Sequence, residues 1–304
     1  MSKRTVGTWI YQNGGGDIVE EKLVAGLRER EIETITDLNL RYADVNNDGI
    51  FCNGTQMDNL DLFFSYNAGE QSLYQIYLYE LLDLHIPIIN SFKGFSISED
   101  KMKTDVALKI ADIPRTNFYL CHRDETEKLR EAVDKWGSKA VYKPVDGWGG
   151  MGMTLIESEH DLDQILPFLN QLDIRFFYIE KFINYDGTDY RVDVVDGEAI
   201  SCYGRRAKKG DWRTNVTSGG SVFLRELTDE LADLAVKAAA AVRLDIAGVD
   251  IIYDREREEY IVLEVNGIPA FATPDQESIG LGFNDRKIEK IIALIDRKTS
   301  HENK

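Results

Sequence analysis

The stretch AGVDIIYDREREEYIVLEVN, residues 247–266, constrains the fold more than any other part of this chain. Two runs of aliphatic and β-branched residues flank the polar DREREE, the pattern of two strands and their connection. Side chains alternate across a strand, so pairing Tyr253 with Ile261 puts Val249, Ile251, Tyr253, Ile261, Leu263 and Val265 on one apolar face. The other face then carries Asp250 opposite Glu264, with Asn266 two residues on. A one-residue slip would drive a carboxylate into the core, which favours this register. Two carboxylates and an amide are hard oxygen donors of the kind that hold Mg²⁺ jointly with phosphates. The same face would serve equally as the solvent side of an antiparallel sheet.

The rest of the chain alternates strands and helices. TVGTWIY reads as a strand, QNGGGD as a turn and residues 18–30 as a helix. LDLFFSY is a strand, EQSLYQIYLYELLDLH an amphipathic helix and IPIINS a short buried strand, which together make a small α/β unit. A charged helix is expected from about Ser98 to Ile110, then RTNFYL and a helix near 125–136. The strand KAVYKP runs into VDGWGGMGM and out through TLIES. This strand–loop–strand lacks the Gly-Lys-Ser/Thr ending of a P-loop, which argues against a P-loop NTPase. Further on, DYRVDVV, the turn DG and EAISCYGRR form a hairpin with a type I′ turn. Thr228 caps a helix to Val242 with Asp229 and Glu230 in its first turn, and a last helix starts near Asp285.

Lys and Arg number 36 against 53 Asp and Glu, a formal charge of −17. That balance argues against nucleic acid and anionic membrane as partners. An anionic ligand would have to be held by local cations, and RRAKKGDWRTNVTSGGS, residues 205–221, concentrates them beside glycines. Cys52, Cys121 and Cys202 form no CxxC, so neither zinc nor a disulfide framework is suggested and a reducing cytoplasm fits. The apolar part of the N-terminus is too short and too polar for a signal peptide. No run reaches the roughly 20 apolar residues of a membrane helix.

Other candidates are weaker alone. Gly147, Gly149, Gly150 and Gly152 would let backbone approach a phosphate, with Lys143 supplying charge. Trp148 and Met151 suit a loop that covers something, although a plain hairpin loop reads the same way. The backbone of Glu180, Lys181, Phe182 and Ile183 could bond a planar base. Asp189 and Arg191 share a strand face and could equally form cross-strand ion pairs. None of the four histidines lies beside a Ser or Cys in a way that suggests a nucleophile.

In chain order, Lys101, Lys143, the glycine loop, IEKFI, DYRV, RRAKKGDWRTNVTSGGS, AGVDII and LEVN resemble the ATP-grasp ligases, and among these the RimK-type glutamate ligases. The likeness spans residues 60 to 295, give or take a few. It implies an α/β (α+β) ATP-grasp fold of three lobes: an N-terminal lobe (1–93), a central subdomain with the glycine loop (94–178) and a C-terminal subdomain (179–304). It implies ATP clamped between the later two. Lys101 and Lys143 would contact phosphates, Gly149 and Gly150 would close over them, and Glu180 to Ile183 would hold adenine. Asp189 would hold the ribose, and Arg213 and Asn215 would reach the phosphates and the reacting acyl group as catalytic residues. Asp250, Glu264 and Asn266 would bind two Mg²⁺, with Mn²⁺ as a substitute.

The implied reaction joins an amino acid, glutamate as the leading expectation, to the carboxylate of a small-molecule, peptide or protein acceptor. It would pass through an acyl phosphate and release ADP and phosphate. A glutathione-synthetase-like or dipeptide ligase on small free substrates, or a nucleotide-binding regulator without turnover, are the other readings. Self-association into a homo-oligomer is compatible with all of them. Two segments depart from the family. Its Pro-Arg-Ile-Gly reads Ser65-Tyr66-Asn67-Ala68-Gly69, without the arginine. Its Ala-Ser-Pro-Gly after the metal Asn reads Gly267-Ile268-Pro269-Ala270-Phe271.

Overall fold

The computed structural model describes residues 4–67, 73–137, 139–144, 152–171 and 176–300. The chain opens with β1 (Arg4–Ile10), α1 (Gly16–Glu29) and β2 (Ile32–Ile35). The short strands β3 (Asp44–Asn46), β4 (Gly49–Cys52) and β5 (Thr55–Gln56) form an antiparallel flap that alternation in the sequence does not announce. Then come β6 (Leu62–Tyr66), α2 (Leu73–Asp83) and β7 (Ile88–Ile89). The first sheet, in the order β2-β1-β6-β7, is parallel throughout. Its inner strands β1 and β6 are mostly buried because both faces are covered, while the edge strand β2 exposes Glu33.

The helix expected from Ser98 is two helices, α3 (Phe92–Ser98) and α4 (Lys101–Ile110). Asp100 splits them, because its side chain accepts from the Lys103 N–H at 3.0 Å and caps α4. Lys101 therefore stands at the first position of a helix. The central unit follows with β8 (Phe118–His122), α5 (Thr126–Lys135), β9 (Ala140–Tyr142), β10 (Thr154–Ile156), α6 (Glu159–Gln171) and β11 (Phe176–Lys181). Its sheet, β10-β9-β11-β8, is antiparallel. The division expected at residue 178 falls inside β11, whose Lys181 still pairs with Ala140.

The largest sheet combines β12 (Thr188–Val195), β13 (Glu198–Arg206), β14 (Ser221–Leu224), β15 (Ile246–Asp254) and β16 (Glu259–Asn266) in the order β14-β13-β12-β15-β16. Helix α7 (Asp229–Val242) packs its small residues Ala235, Ala238 and Ala239 against Val192, Val194 and Val249. The chain ends with α8 (Pro274–Ser278) and α9 (Asn284–Thr299). Helix α9 joins its own sheet, through Val195, Ile200 and Ile246, to the first unit. Ile288, Ile291 and Ile295 share a core with Val6, Leu23 and Leu62 of the first unit.

The β15–β16 pairing keeps Asp250 opposite Glu264 but shifts by one residue beyond it, so Tyr253 meets Tyr260 and not Ile261. Val249, Ile251 and Val265 keep to the α7 core, joined by Val262. Ile261 instead packs with Ile252 and Ile183, with Leu263 against them. Both faces of this hairpin are covered, so a bulge that swaps apolar residues between them loses little burial.

Candidate active site

A cleft opens between the central sheet and the largest sheet. Lys101, Thr116, Val141, Lys143, Pro144, Met153 and Glu180 line one side. The linker Lys181–Ile183 and Tyr185 form its back, and Asp189, Arg205, Trp212–Asn215, Asp250, Ile252, Leu263 and Glu264 its other side. Most of the residues singled out in the sequence thus meet in one place. Gly147, Trp148, Gly149, Gly150 and Met151 of the glycine loop, and Ala68 and Gly69 of the first departure, lie outside the described residues.

On the central side, Lys143 is buried, with Nζ 2.5 Å from Glu180 Oε2. Burial pulls its ammonium down, but Glu180 beside it, with Glu264 and Asp105, outweighs this and the net shift is upward. Glu180 also accepts from Thr116 Oγ1 at 3.0 Å and from the Tyr178 hydroxyl at 2.9 Å. The Tyr178 hydroxyl meets Asp105 Oδ2 as well. The Lys181 side chain turns to Glu256 at 2.8 Å. The Lys181 N–H donates to Asn117 O and the Phe182 N–H to Lys139 O, so neither is a donor for a base.

On the opposite side, cross-strand pairs set the chemistry. Register places Asp189 against Arg205 and Arg191 against Asp250. Arg191 grips Asp250 with Nε and with NH2, the latter at 3.0 Å, and Arg205 NH2 reaches the same carboxylate at 2.9 Å. Burial pushes the Asp250 acid up, but the two guanidiniums outweigh it and hold it down at about 2. Asp250 is therefore an anion at any working pH. Asn266 gives its amide nitrogen to Gly248 O at 3.2 Å and lies 3.5 Å from Asp250 Oδ2. Glu264, 31% exposed, faces the cleft with Oε1 3.2 Å from Lys101 Nζ.

Asp189 is engaged by its own neighbours. It accepts from Arg205 at 2.8 and 2.6 Å and from Thr214 Oγ1 at 2.6 Å, and it is 2% exposed. Asp189 lines the cleft, and its carboxylate orients Arg205 and Thr214. Arg213 lines the cleft but folds onto Asp211, with Nε at 3.1 Å and NH2 at 2.9 Å. That pair holds Asp211 down at about 2. Asn215 begins the turn that follows, where its carbonyl accepts from the N–H groups of Ser218 and Gly220. A Cβ on Gly220 would sit 2.2 Å from Thr214 O, so this tight turn needs glycine.

Sequence reading missed Asp105, Thr116, Tyr178, Arg205, Asp211 and Thr214 as site residues. Arg205 was visible in the basic run but had no partner assigned. Among the described residues no three Asp, Glu, His or Cys side chains converge as a metal cage. Glu264 and Asn266 carry hard oxygens that suit a Mg²⁺ ion shared with phosphates, while both Asp250 oxygens are held by Arg191 and Arg205, so Asp250 would have to share one of them to join the set. The three cysteines are free. No helix of the described residues is long and apolar enough to cross a membrane.

Comparison with known proteins gives one consistent answer. Residues 98–291 match the model of the RimK-like ATP-grasp domain. The tetrahydromethanopterin:alpha-L-glutamate ligase of Methanocaldococcus jannaschii is 33% identical over 248 residues, 79% of this chain and 81% of that one. The ribosomal protein bS6–L-glutamate ligase of Escherichia coli O81 (strain ED1a) is 30% identical over 217 residues, 70% and 69% of the two chains. Among solved structures, the ATP-grasp ligase PsnB complexed with a phosphomimetic variant of minimal precursor, Mg and ADP has the same fold. The TM-score is 0.69 at 19% identity, covering 99% of this chain and 100% of that one.

Proposed function

The chain belongs to the RimK-like ATP-grasp family of ligases, and from that premise we propose that it uses ATP to join glutamate, through its amine, to a carboxylate of an acceptor. The observation that carries this reading is the meeting of Lys101, Lys143, Arg205 and Arg213 in one cleft with Asp250 and Glu264. Each of these cations is paired with an internal acid: Lys101 with Glu264, Lys143 with Glu180, Arg205 with Asp189 and Asp250, Arg213 with Asp211. In a chain of net charge −17, these pairs hold four cationic groups at one place, each neutralised by its acid until an anionic ligand competes for it. The apolar walls Val141, Ile183, Ile252 and Leu263 suit a purine. Since Lys181 and Phe182 have spent their N–H groups, the base would bond to the Glu180 carboxylate and the Ile183 backbone.

The residues then divide the work. Lys101 and Lys143 neutralise phosphate oxygens, so an acceptor carboxylate can approach the γ-phosphate and take it as an acyl phosphate, leaving ADP. The amine of glutamate attacks that acyl carbon, and phosphate leaves. Arg213, released from Asp211, donates its planar fork to the oxygen on which charge develops, with Asn215 beside it. Arg191 and Arg205 hold Asp250, and Asp189 holds Arg205, so the wall keeps its shape as charge moves. Asp250, Glu264 and Asn266 would hold two Mg²⁺ ions, which when bound supply Lewis-acid charge at the transferring phosphoryl group.

Two substitutions separate binding from chemistry. For Arg213→Lys we expect kcat to fall about 10²-fold, the effect of losing one oxyanion donor, with KM for ATP little changed. A raised KM at unchanged kcat would make Arg213 a uniform binding residue and sink the oxyanion role. Lys143→Ala should instead raise KM for ATP by about ten-fold or more, because it removes a buried charge from the triphosphate and leaves Glu180 unneutralised. Steady-state ADP release with both substrates varied distinguishes the two patterns.

A further inference from the structure

Beneath the cleft, three acidic or phenolic groups stand in line. Asp105 of α4 meets the Tyr178 hydroxyl, and that hydroxyl lies 2.9 Å from Glu180 Oε1. All three are buried, at 3%, 1% and 3% exposure. A phenol has one hydrogen to give. With both carboxyls ionised, one of the two contacts would set a carboxylate oxygen against a phenolic oxygen with no proton between them. The arrangement is satisfied only when one carboxyl carries a proton.

Glu180 is the ionised member. Its Oε2 takes Lys143 Nζ at 2.5 Å and Thr116 Oγ1 at 3.0 Å. The proton therefore sits on Asp105, which donates to Tyr178, and Tyr178 donates to Glu180. The charged groups around Asp105 are Glu180 on β11, Lys143 just after β9 and Arg115 after α4, whose Nε is spent on the Asp105 carbonyl at 3.1 Å. Asp105 also lies one helical turn from Lys101 on the same face of α4. Whatever fixes Asp105 against β11 fixes Lys101 over the cleft.

We propose that Asp105 and Tyr178 are positioning residues: a proton held on Asp105 completes a directed chain that fixes Glu180, Lys143 and the Lys101 helix where ATP meets them. The inference rests on the reading of this cleft as the ATP site. It makes nucleotide binding depend on pH in a definite direction. Burial first, and the nearby Glu180 charge second, push the Asp105 acid up to about 7 from an ordinary 3.8. A folded-state value raised in this way favours the folded, protonated cluster fully below the ordinary carboxylate range, and the advantage is lost as pH rises through about 7. Above that, Asp105 and Glu180 are both anions around one phenol hydrogen, and the bridge between α4 and β11 opens.

The test is equilibrium binding of ATP with Mg²⁺ to the full chain between about pH 6 and about pH 8.5, for wild type and Asp105→Asn. Asparagine supplies an N–H donor to Tyr178 at every pH. The wild-type dissociation constant should rise relative to that of the variant by about ten-fold or more across the range, as the competent fraction falls. Parallel curves for the two proteins would overturn the inference while leaving the ATP reading intact. Absence of ATP binding at every pH would overturn both. A second readout needs no variant: the infrared stretch of a neutral carboxyl in the wild-type protein should bleach as pH rises through about 7. A spectrum with no neutral carboxyl titrating in that range would contradict the assignment.

Discussion

Glu264→Gln is expected to slow ADP formation by about 10³-fold or more, close to 4 kcal/mol of transition-state stabilisation, in a protein that remains folded. Glutamine keeps the shape and loses the charge. Glu264 is partly exposed and faces the cleft, so its replacement leaves no unpaired charge in a core. Its neighbour Lys101, freed from the 3.2 Å contact, still faces the phosphates. If the substitution acts on metal holding, ATP binding measured without divalent ions should match wild type or improve, while turnover collapses. Ordinary turnover by the folded variant would remove the metal assignment of the β15–β16 hairpin and return its polar face to a structural role.

Lys287→Met should cost about 3–5 kcal/mol of unfolding free energy, the effect of breaking a buried ion pair by deleting one partner. Lys287 is fully buried on α9. Its Nζ lies 3.0 Å from Asp193 Oδ2, 2.8 Å from Pro269 O and 3.2 Å from Ala270 O. The Phe271 ring lies 4.5 Å away on centroid. Burial pulls the ammonium down, and Asp193 restores only part of this. One side chain thus joins α9, the sheet strand β12 and the segment that follows Asn266. Methionine fills much of the volume but leaves Asp193 charged and unpaired. The double variant Lys287→Met/Asp193→Leu should recover most of the loss, because replacing both charges is far cheaper than removing one. Urea unfolding of the single and double variants checks this, and equal stability of Lys287→Met and wild type would contradict it.

What the sequence made legible follows from its periodicities. Apolar alternation located the DYRVDVV hairpin and the β15–β16 pair, and the Thr228 cap located α7, whose Thr228 does accept from the Leu231 N–H. The opposition of Asp250 and Glu264 was readable from alternation, but not because a slip would bury charge: Asp250 is buried and is kept there by Arg191 and Arg205. Features that depend on a single inserted residue were not. Counting back from the Asp196–Gly197 turn pairs Asp189 with Gly204, but an irregularity between Asp193 and Val194 moves its partner to Arg205. A second shift after Asp250 moves Ile261 and Leu263 onto the cleft side. No local pattern marks such bulges, and both re-aim side chains at the site: the second lies beside Asp250, and the first, outside the cleft, sets the register that brings Arg205 to Asp189. Asp105 and Tyr178 lie 73 residues apart, on a helix and a strand whose docking only the tertiary fold sets. Helix α6 escaped because Pro167 stands inside it and proline normally argues against a helix interior.

On the proposed function, this cleft makes an acyl phosphate from ATP and passes it to an amine. The direct measurement offers L-glutamate and the other amino acids singly, with ATP, Mg²⁺ and a set of glutamate-ended peptides and small acids as acceptors. Nucleotide products are resolved and the joined product is weighed. The account predicts ADP and phosphate in equal amounts with a product whose mass is acceptor plus amino acid less one water. Release of AMP and pyrophosphate, or ADP formed with no joined product under any pairing, would contradict it.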